Sequence, residues 1–283
     1  MPQSKKSTFQ MPIWLATLFL VSVFCHEATA STPSYTSVRA LDEYGNSVQL
    51  KHASEAVQRH GRLVLAGQSS SDETVVVSFG ARPLLHPITL FIGDDSVSNT
   101  VAICCTGVKG DANWLVGQMQ SHSKRVWERY NHPLDAAAAA HAVSRLLGSF
   151  NGDDIKQEWQ SSVPREKAQW ARPLGIQTML MSQNMPILMV EPTGRVLSTT
   201  KDGPSIGIMG KNSQTLKEKI SREAPKVMET SELQEFFIRL LLQDVPRNDV
   251  AEVIVEILSR QGVQTSNLKF KNGKQIFAKP GKS

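Results

Sequence analysis

Residues 109–150, KGDANWLVGQMQSHSKRVWERYNHPLDAAAAAHAVSRLLGSF, decide how the rest of the chain is read. Trp114, Leu115, Met119, Val126 and Trp127 recur at helical spacing from Lys109 to about Tyr130, and Asp111 suits a first turn. His132-Pro133 breaks that run, and Pro133 fits the first position of a second helix reaching about Phe150. Leu134, His141, Leu146 and Phe150 are available there for packing, and the alanines Ala136–Ala140 combine high helix propensity with close approach to a neighbour. Short strand-like runs lie on both sides of this helical pair. Before it come Leu63–Gly67, Thr74–Gly80, Thr89–Ile92 and Val101–Thr106, with Ser69–Asp72 as a hairpin turn. After it come Gly175–Met181, Ile187–Val190 and Arg195–Thr199, the last two joined by Pro192-Thr193-Gly194. Strands in blocks, rather than alternating with single helices, argue against a doubly wound parallel sheet. The order fits an α+β fold of two antiparallel sheets packed face to face, each covered by helices.

Further out, Val48, Ala53, Ala56 and Val57 mark one face of a helix ending at His60, with Gly61 as its stop. Toward the C-terminus the pattern predicts helices over Ser213–Ser221, Ser231–Leu242 and Asn248–Arg260, capped in the last two by Ser231 and Asn248 and separated by Pro246. Leu268–Phe270 can close a sheet edge, and the polar stretch Asn151–Gln169 reads as a loop or insertion. No repeat period is visible.

The 283 residues are 40% hydrophobic and 20% charged, an ordinary globular composition. The net charge of +5 owes much to Lys5 and Lys6 at the front and to Lys269, Lys271, Lys274, Lys279 and Lys282 at the back. No basic stripe follows a helix face and aromatics are only 6%, so nucleic acid is not an expected partner. Lys5 and Lys6, the apolar run Met11–Cys25 and the small-x-small site Ala28-Thr29-Ala30 form the parts of a secretory signal peptide over residues 1–30. That run is about 15 residues, shorter than the ~20 of a membrane-spanning helix, so cleavage after Ala30 is expected rather than an uncleaved anchor. Residues 31–283 then form one domain with a basic tail from about residue 271. The leader sends the chain into the endoplasmic reticulum or a compartment reached through it.

Chemistry is sparse. Cys104 and Cys105 are neighbours in an apolar run, cannot easily bridge each other, and read as small buried hydrophobes. His122, His132 and His141 have no metal-ligand spacing, and no metal or cofactor is expected. Gly210-Lys211 lacks the glycine and the hydroxyl residue of a phosphate loop. Gly203-Pro204-Ser205-Ile206-Gly207 matches the G-x-S-x-G elbow of serine hydrolases, but that elbow needs a histidine after the serine, and the last histidine is His141.

Several segments in order resemble α-type subunits of the 20S proteasome core. Gln49 and Ala53-Ser54-Glu55-Ala56-Val57 are similar to the family's first helix; Gly107-Val108-Lys109-Gly110-Asp111-Ala112 to its glycine-x-x-x-aspartate-alanine helix start; and Arg129-Tyr130-Asn131-His132-Pro133-Leu134 with Ala140-His141-Ala142-Val143 to its arginine-tyrosine-asparagine-x-proline stretch. Arg172-Pro173-Leu174-Gly175, Glu191-Pro192-Thr193-Gly194 and Ile208-Met209-Gly210-Lys211-Asn212-Ser213 resemble its later motifs. The family's tyrosine-aspartate-arginine start is reduced here to Tyr35-Thr36-Ser37, and its turn before the first helix to Asp42-Glu43-Tyr44-Gly45. The lysine of the pocket that receives regulator tails is not evident near Arg82-Pro83.

The resemblance implies the four-layer αββα Ntn-hydrolase fold and a non-catalytic subunit of a threonine-type endopeptidase complex serving ubiquitin-dependent protein degradation. Its partners would be other α-type and β-type subunits, in a heptameric ring through which polypeptide substrates pass. The catalytic relatives need a free N-terminal threonine supported by an acid and a lysine. Aligned on Gly67, those positions fall near Leu63, Arg82 and Thr89, none of which supplies the chemistry. Val48, Gln49, Ala53, Ala56 and Val57 are the subunit-contact candidates, against the alternative of an amphipathic helix covering its own sheet. Typical family members work in cytoplasm and nucleus without a leader. The leader therefore motivates an alternative, a secreted binding module that keeps the fold and has lost the ring.

Overall fold

The computed structural model describes residues 41–88, 100–150, 172–183, 185–199, 205–224, 227–243, 245 and 249–276. The signal peptide, the run Thr89–Ile92, the insertion Asn151–Gln169 and Pro246 lie outside the described residues. Val38–Ser283 form one compact unit. The fold is α+β, with two antiparallel sheets of six and five strands and five helices among the described residues.

The helices are α1 (Val48–His60), α2 (Lys109–Tyr130), α3 (Ala136–Phe150), α4 (Ser213–Glu223) and α5 (Thr230–Leu242). The strands are β1 (Val64–Gln68), β2 (Thr74–Phe79), β3 (Leu85–Pro87), β4 (Ala102–Gly107), β5 (Ile176–Ser182), β6 (Met185–Val190), β7 (Val196–Ser198), β8 (Ile206–Met209), β9 (Val250–Ser259), β10 (Gly262–Lys271) and β11 (Lys274–Gln275). The larger sheet runs β11-β10-β9-β2-β1-β8 and the smaller β3-β4-β5-β6-β7. The sheets do not coincide with the sequence blocks. β1 and β2 pair with strands from the far end of the chain, while β4 leaves its block to pair with β5, from Ala102 opposite Met181 to Gly107 opposite Ile176.

Alternation along the strands sorts the core into three groups. Ile103, Cys105, Ile176, Leu180 and Val190 turn toward α2 and α3, where they meet Leu115, Met119, Val143 and Leu147. Leu65, Val75, Val77, Val253 and Val255 turn toward α4 and α5, against Leu216, Leu233 and Phe237. The third group draws on both sheets at once: Val64, Ala66, Val76, Met209 and Leu258 from the larger, Ala102, Cys104, Met179, Met181 and Ile187 from the smaller. Neighbours along one strand thus serve different groups, Cys104 one and Cys105 another.

Several local expectations are corrected. Asn248–Arg260 is not a helix; its core is strand β9, paired on one side with β2 and on the other with β10. Val253, Ile254 and Val255 are buried in sequence, which needs cover on both faces, and β-branched side chains pack well on a pleated sheet. The basic stretch from about residue 271 begins as sheet, Lys271 ending β10 and Lys274 starting β11. Pro133 does not open α3. That helix begins at Ala136, after Asp135 accepts the backbone N–H of Ala138 at 2.6 Å. The cap of α5 is Glu229 rather than Ser231, in a reciprocal box with Glu232. Gly61 ends α1 without a left-handed turn, at φ −68°. The left-handed stop is Asn131 after α2, at φ 49°.

Candidate functional site

The segments that carry the family resemblance come from distant parts of the chain, and several meet at one corner. Ser47 opens α1 by accepting the N–H of Leu50 at 3.4 Å. The helix lies against β4 and β5. Ala53 and Val57 are buried there, while Val48, Gln49 and Ala56 are half-buried and Lys51, His52, Ser54, Gln58 and Arg59 face outward. The alternative of a helix covering its own sheet therefore describes Ala53 and Val57.

At the start of α2, Val108 donates its N–H to the Gly175 carbonyl at 2.8 Å. Asp111 returns the contact, accepting Gly175 N–H at 2.9 Å and both guanidinium nitrogens of Arg172 at 2.7 and 2.8 Å. A side chain on Gly175 would meet the Ala56 Cβ at 3.1 Å and Val108 Cγ2 at 3.0 Å, so α1 reaches the sheet only over a glycine. One turn on, Gly210 sits at φ +90°, and a Cβ there would overlap the Arg62 carbonyl. Thr106 donates to that same carbonyl at 2.7 Å, and Gly210 N–H reaches Gln177 Oε1 at 3.4 Å. The end of α1, β4, β5 and the residue after β8 are thus tied together by hydrogen bonds between side chains and backbone.

Just before α1 a short exposed turn projects from the body. Leu41 and Ser47 pair across it, and Asp42 accepts the N–H groups of Asn46 at 2.8 Å and Tyr44 at 3.0 Å. Those bonds, Asn46 first, hold the Asp42 carboxyl below its ordinary range. Leu41 and Tyr44 are exposed on this turn.

The positions that the resemblance aligns with a nucleophile and an acid hold other chemistry. Leu63 lies inside the chain between Arg62 and β1, with an aliphatic side chain and an ordinary peptide nitrogen. Arg62 donates to the Arg82 carbonyl at 2.8 Å, and the Arg82 side chain is exposed. Thr89 lies outside the described residues. Sequence reasoning missed the one buried carboxylate nearby: Glu256 of β9, whose two oxygens accept the N–H groups of Leu84 at 2.9 Å and Leu85 at 3.0 Å. A glutamate in a run otherwise made of valine, isoleucine and leucine was its only signal.

Other candidates are inert. Ser205 accepts Ile187 N–H at 3.1 Å and shares a hydrogen bond with Thr199 at 2.6 Å; no histidine or carboxylate among the described residues is bonded to it. Burial pushes the Cys105 thiol up to about 12, with the Thr178 hydroxyl pulling weakly the other way. Burial, followed by the neighbouring Cys105 and Glu256, raises Cys104 well above its ordinary value. Neither supplies a thiolate near neutral pH. His132 bonds through Nδ1 to the Pro133 carbonyl at 2.7 Å. No cluster of three or more histidine, cysteine, aspartate or glutamate side chains suited to a metal ion occurs among the described residues, and no helix among them is long and apolar enough to cross a membrane. No protein-family model matches the chain, and a search of curated proteins finds no similar one.

Proposed function

We propose that this chain is a non-catalytic, α-type proteasome-like subunit that helps form a ring enclosing and gating a proteolytic chamber. The observation that carries the reading is the corner itself. Residues 53–57, 107–112 and 172–175 lie far apart in sequence, and each resembles the family at residues that here bond or pack directly together. A chance resemblance has no reason to choose residues that meet in space.

Two further observations support it. A core group drawn from both sheets, with helix-facing groups on their outer sides, fits the four-layer αββα sandwich of Ntn hydrolases. An aliphatic residue at the nucleophile position fits a subunit that leaves hydrolysis to β-type partners. In such a ring Ala53 and Val57 seat α1 on its own sheet. Val48, Gln49 and the exposed Leu41 and Tyr44 of the preceding turn are then left to touch the neighbouring subunit. The test is the solution mass of residues 31–283, alone and co-expressed with α-type and β-type subunits. Incorporation into a particle of ring size is expected; a monomer that ignores both partners counts against the assembly.

A second reading, a secreted binding module on the same fold, is favoured by the leader and by the altered gate motif Tyr35-Thr36-Ser37. Secretion of the mature chain without α or β partners would select it.

A further inference from the structure

A surface cleft between α3 and the β6–β7 turn is lined by Ser144, Arg145, Glu191, Thr193, Gly194 and Arg195, among others. The turn is fixed before any ligand arrives. Gly194 N–H donates to the Glu191 carbonyl at 2.8 Å, Arg195 N–H to Thr193 Oγ1 at 3.2 Å, and Glu191 N–H to the Arg195 carbonyl at 3.0 Å. Ser144 of α3 then donates to the Gly194 carbonyl at 2.5 Å, fastening the turn to the helix. A Cβ on Gly194 would approach the Ser144 carbonyl to 2.9 Å, so the two elements meet as closely as glycine allows.

Two arginines line this cleft from different elements, Arg145 from α3 and Arg195 from the turn. Neither guanidinium has an ion pair or a hydrogen bond among the described residues. A single exposed arginine is usually just solvated. Two on facing elements of one cleft are different, because the planar fork of each matches an oxyanion and the backbone that carries them is already held in place. The field around α3 is positive by a separate sign: His122 on α2 is held below its ordinary value first by burial and then by Arg125 and Arg145. Glu191, on the same turn as Arg195, opposes an anion. One carboxylate offsets one guanidinium, leaving a net positive charge that attracts a dianion about twice as strongly as a monoanion.

We propose that this cleft binds a phosphate monoester dianion, with Arg145 and Arg195 as its charged ligands and Thr193 at its rim. No residue of the site belongs to α1 or to the corner under it, and the test uses the mature chain alone. Inorganic phosphate is the probe, titrated in low-chloride buffer into the mature chain and followed by amide shifts of residues 193–195. Saturable one-to-one binding is expected, weakened about tenfold or more in Arg145→Gln and in Arg195→Gln. Both side chains are exposed, so both variants keep the fold, which circular dichroism checks. A second readout is the His122 imidazole, whose titration moves upward with phosphate in the wild type and by less, at the same phosphate concentration, in either variant. Shifts that do not saturate, an affinity unchanged in both variants, or acetate competing as well as phosphate would each overturn the proposal.

Discussion

Glu256 in β9 and Gln183 after β5 are both buried polar side chains, 0% and 2% exposed, and they differ in what surrounds them. Each oxygen of Glu256 accepts a backbone N–H, from Leu84 and from Leu85. Neither the nitrogen nor the oxygen of the Gln183 amide has a partner among the described residues, although its backbone carbonyl accepts from Gln68. The contrast separates two reasons for polarity inside a fold. Glu256 fixes the chain on its way into β3, where removing the acceptor would strand two donors. Gln183 costs desolvation that its side chain does not recover among these residues.

The largest effect should come from Glu256. Glu256→Ala leaves Leu84 N–H and Leu85 N–H buried without an acceptor, a loss of about 3 kcal/mol. Urea unfolding should shift to a midpoint lower by about 1 M. Glu256→Gln keeps the shape and one acceptor and should lose less; equal losses in the two variants would show that volume rather than acceptance matters.

The thiols carry the same rule to high pH. The folded chain holds Cys105 protonated up to about 12, against an ordinary value of 9.0. The unfolded chain therefore releases that proton first. Stability is complete below about pH 9 and is lost as pH rises toward 12, by about 2–3 kcal/mol near pH 11. Thermal melts across that range should show the decline, and Cys105→Ala should reduce it, leaving the share of Cys104, whose thiol burial also raises.

Asp111→Asn weakens the double bond to Arg172 and the charged acceptor for Gly175 N–H. Arg172 is half-exposed, so solvent screens the pair and about 1 kcal/mol is expected. Hydrogen exchange should rise where α1 and α2 meet Gly175. A smaller loss, about 0.5–1 kcal/mol, should follow Thr230→Val. It removes the hydroxyl that bonds Glu73 at 2.7 Å, Ser69 at 3.0 Å and Ser71 at 2.9 Å, the link between the first hairpin and α5. Gln183→Met should change stability least and in the opposite direction, being neutral or slightly stabilising by chemical denaturation. A loss of the size expected for Glu256→Ala would end the comparison.

Most elements were legible because local rules and packing agree in them. The helical pair before and after Asn131-His132-Pro133 showed its period plainly, and so did the strands from Val64 to Phe79. β9 was misread because Val253, Ile254, Val255, Ile257 and Leu258 satisfy a helical stripe as readily as a strand buried on both faces. What decides between them is the pairing with β2, a contact across more than half of the chain that no local window contains. Glu256 was hidden for the same reason, since on a helix it would simply have faced water. Of the corner, the motifs were visible as segments, but nothing in their spacing shows that Asp111 and Arg172 bond or that Gly175 lets Ala56 approach. The contact candidates on α1 come from the family resemblance, which does not tell Ala53 and Val57, turned inward, from Val48, Gln49 and Ala56, only half-buried.

The central claim is that this chain encloses a proteolytic chamber without cutting anything itself. Its most direct test is native mass spectrometry of particles purified through a tag on the full-length chain from the cells that make it. The account predicts a stacked-ring particle containing β-type subunits, with peptide hydrolysis that tracks those partners and persists when Ser205 is replaced by alanine. A chain that purifies alone, or one that takes a covalent adduct on its own hydroxyl, would contradict it.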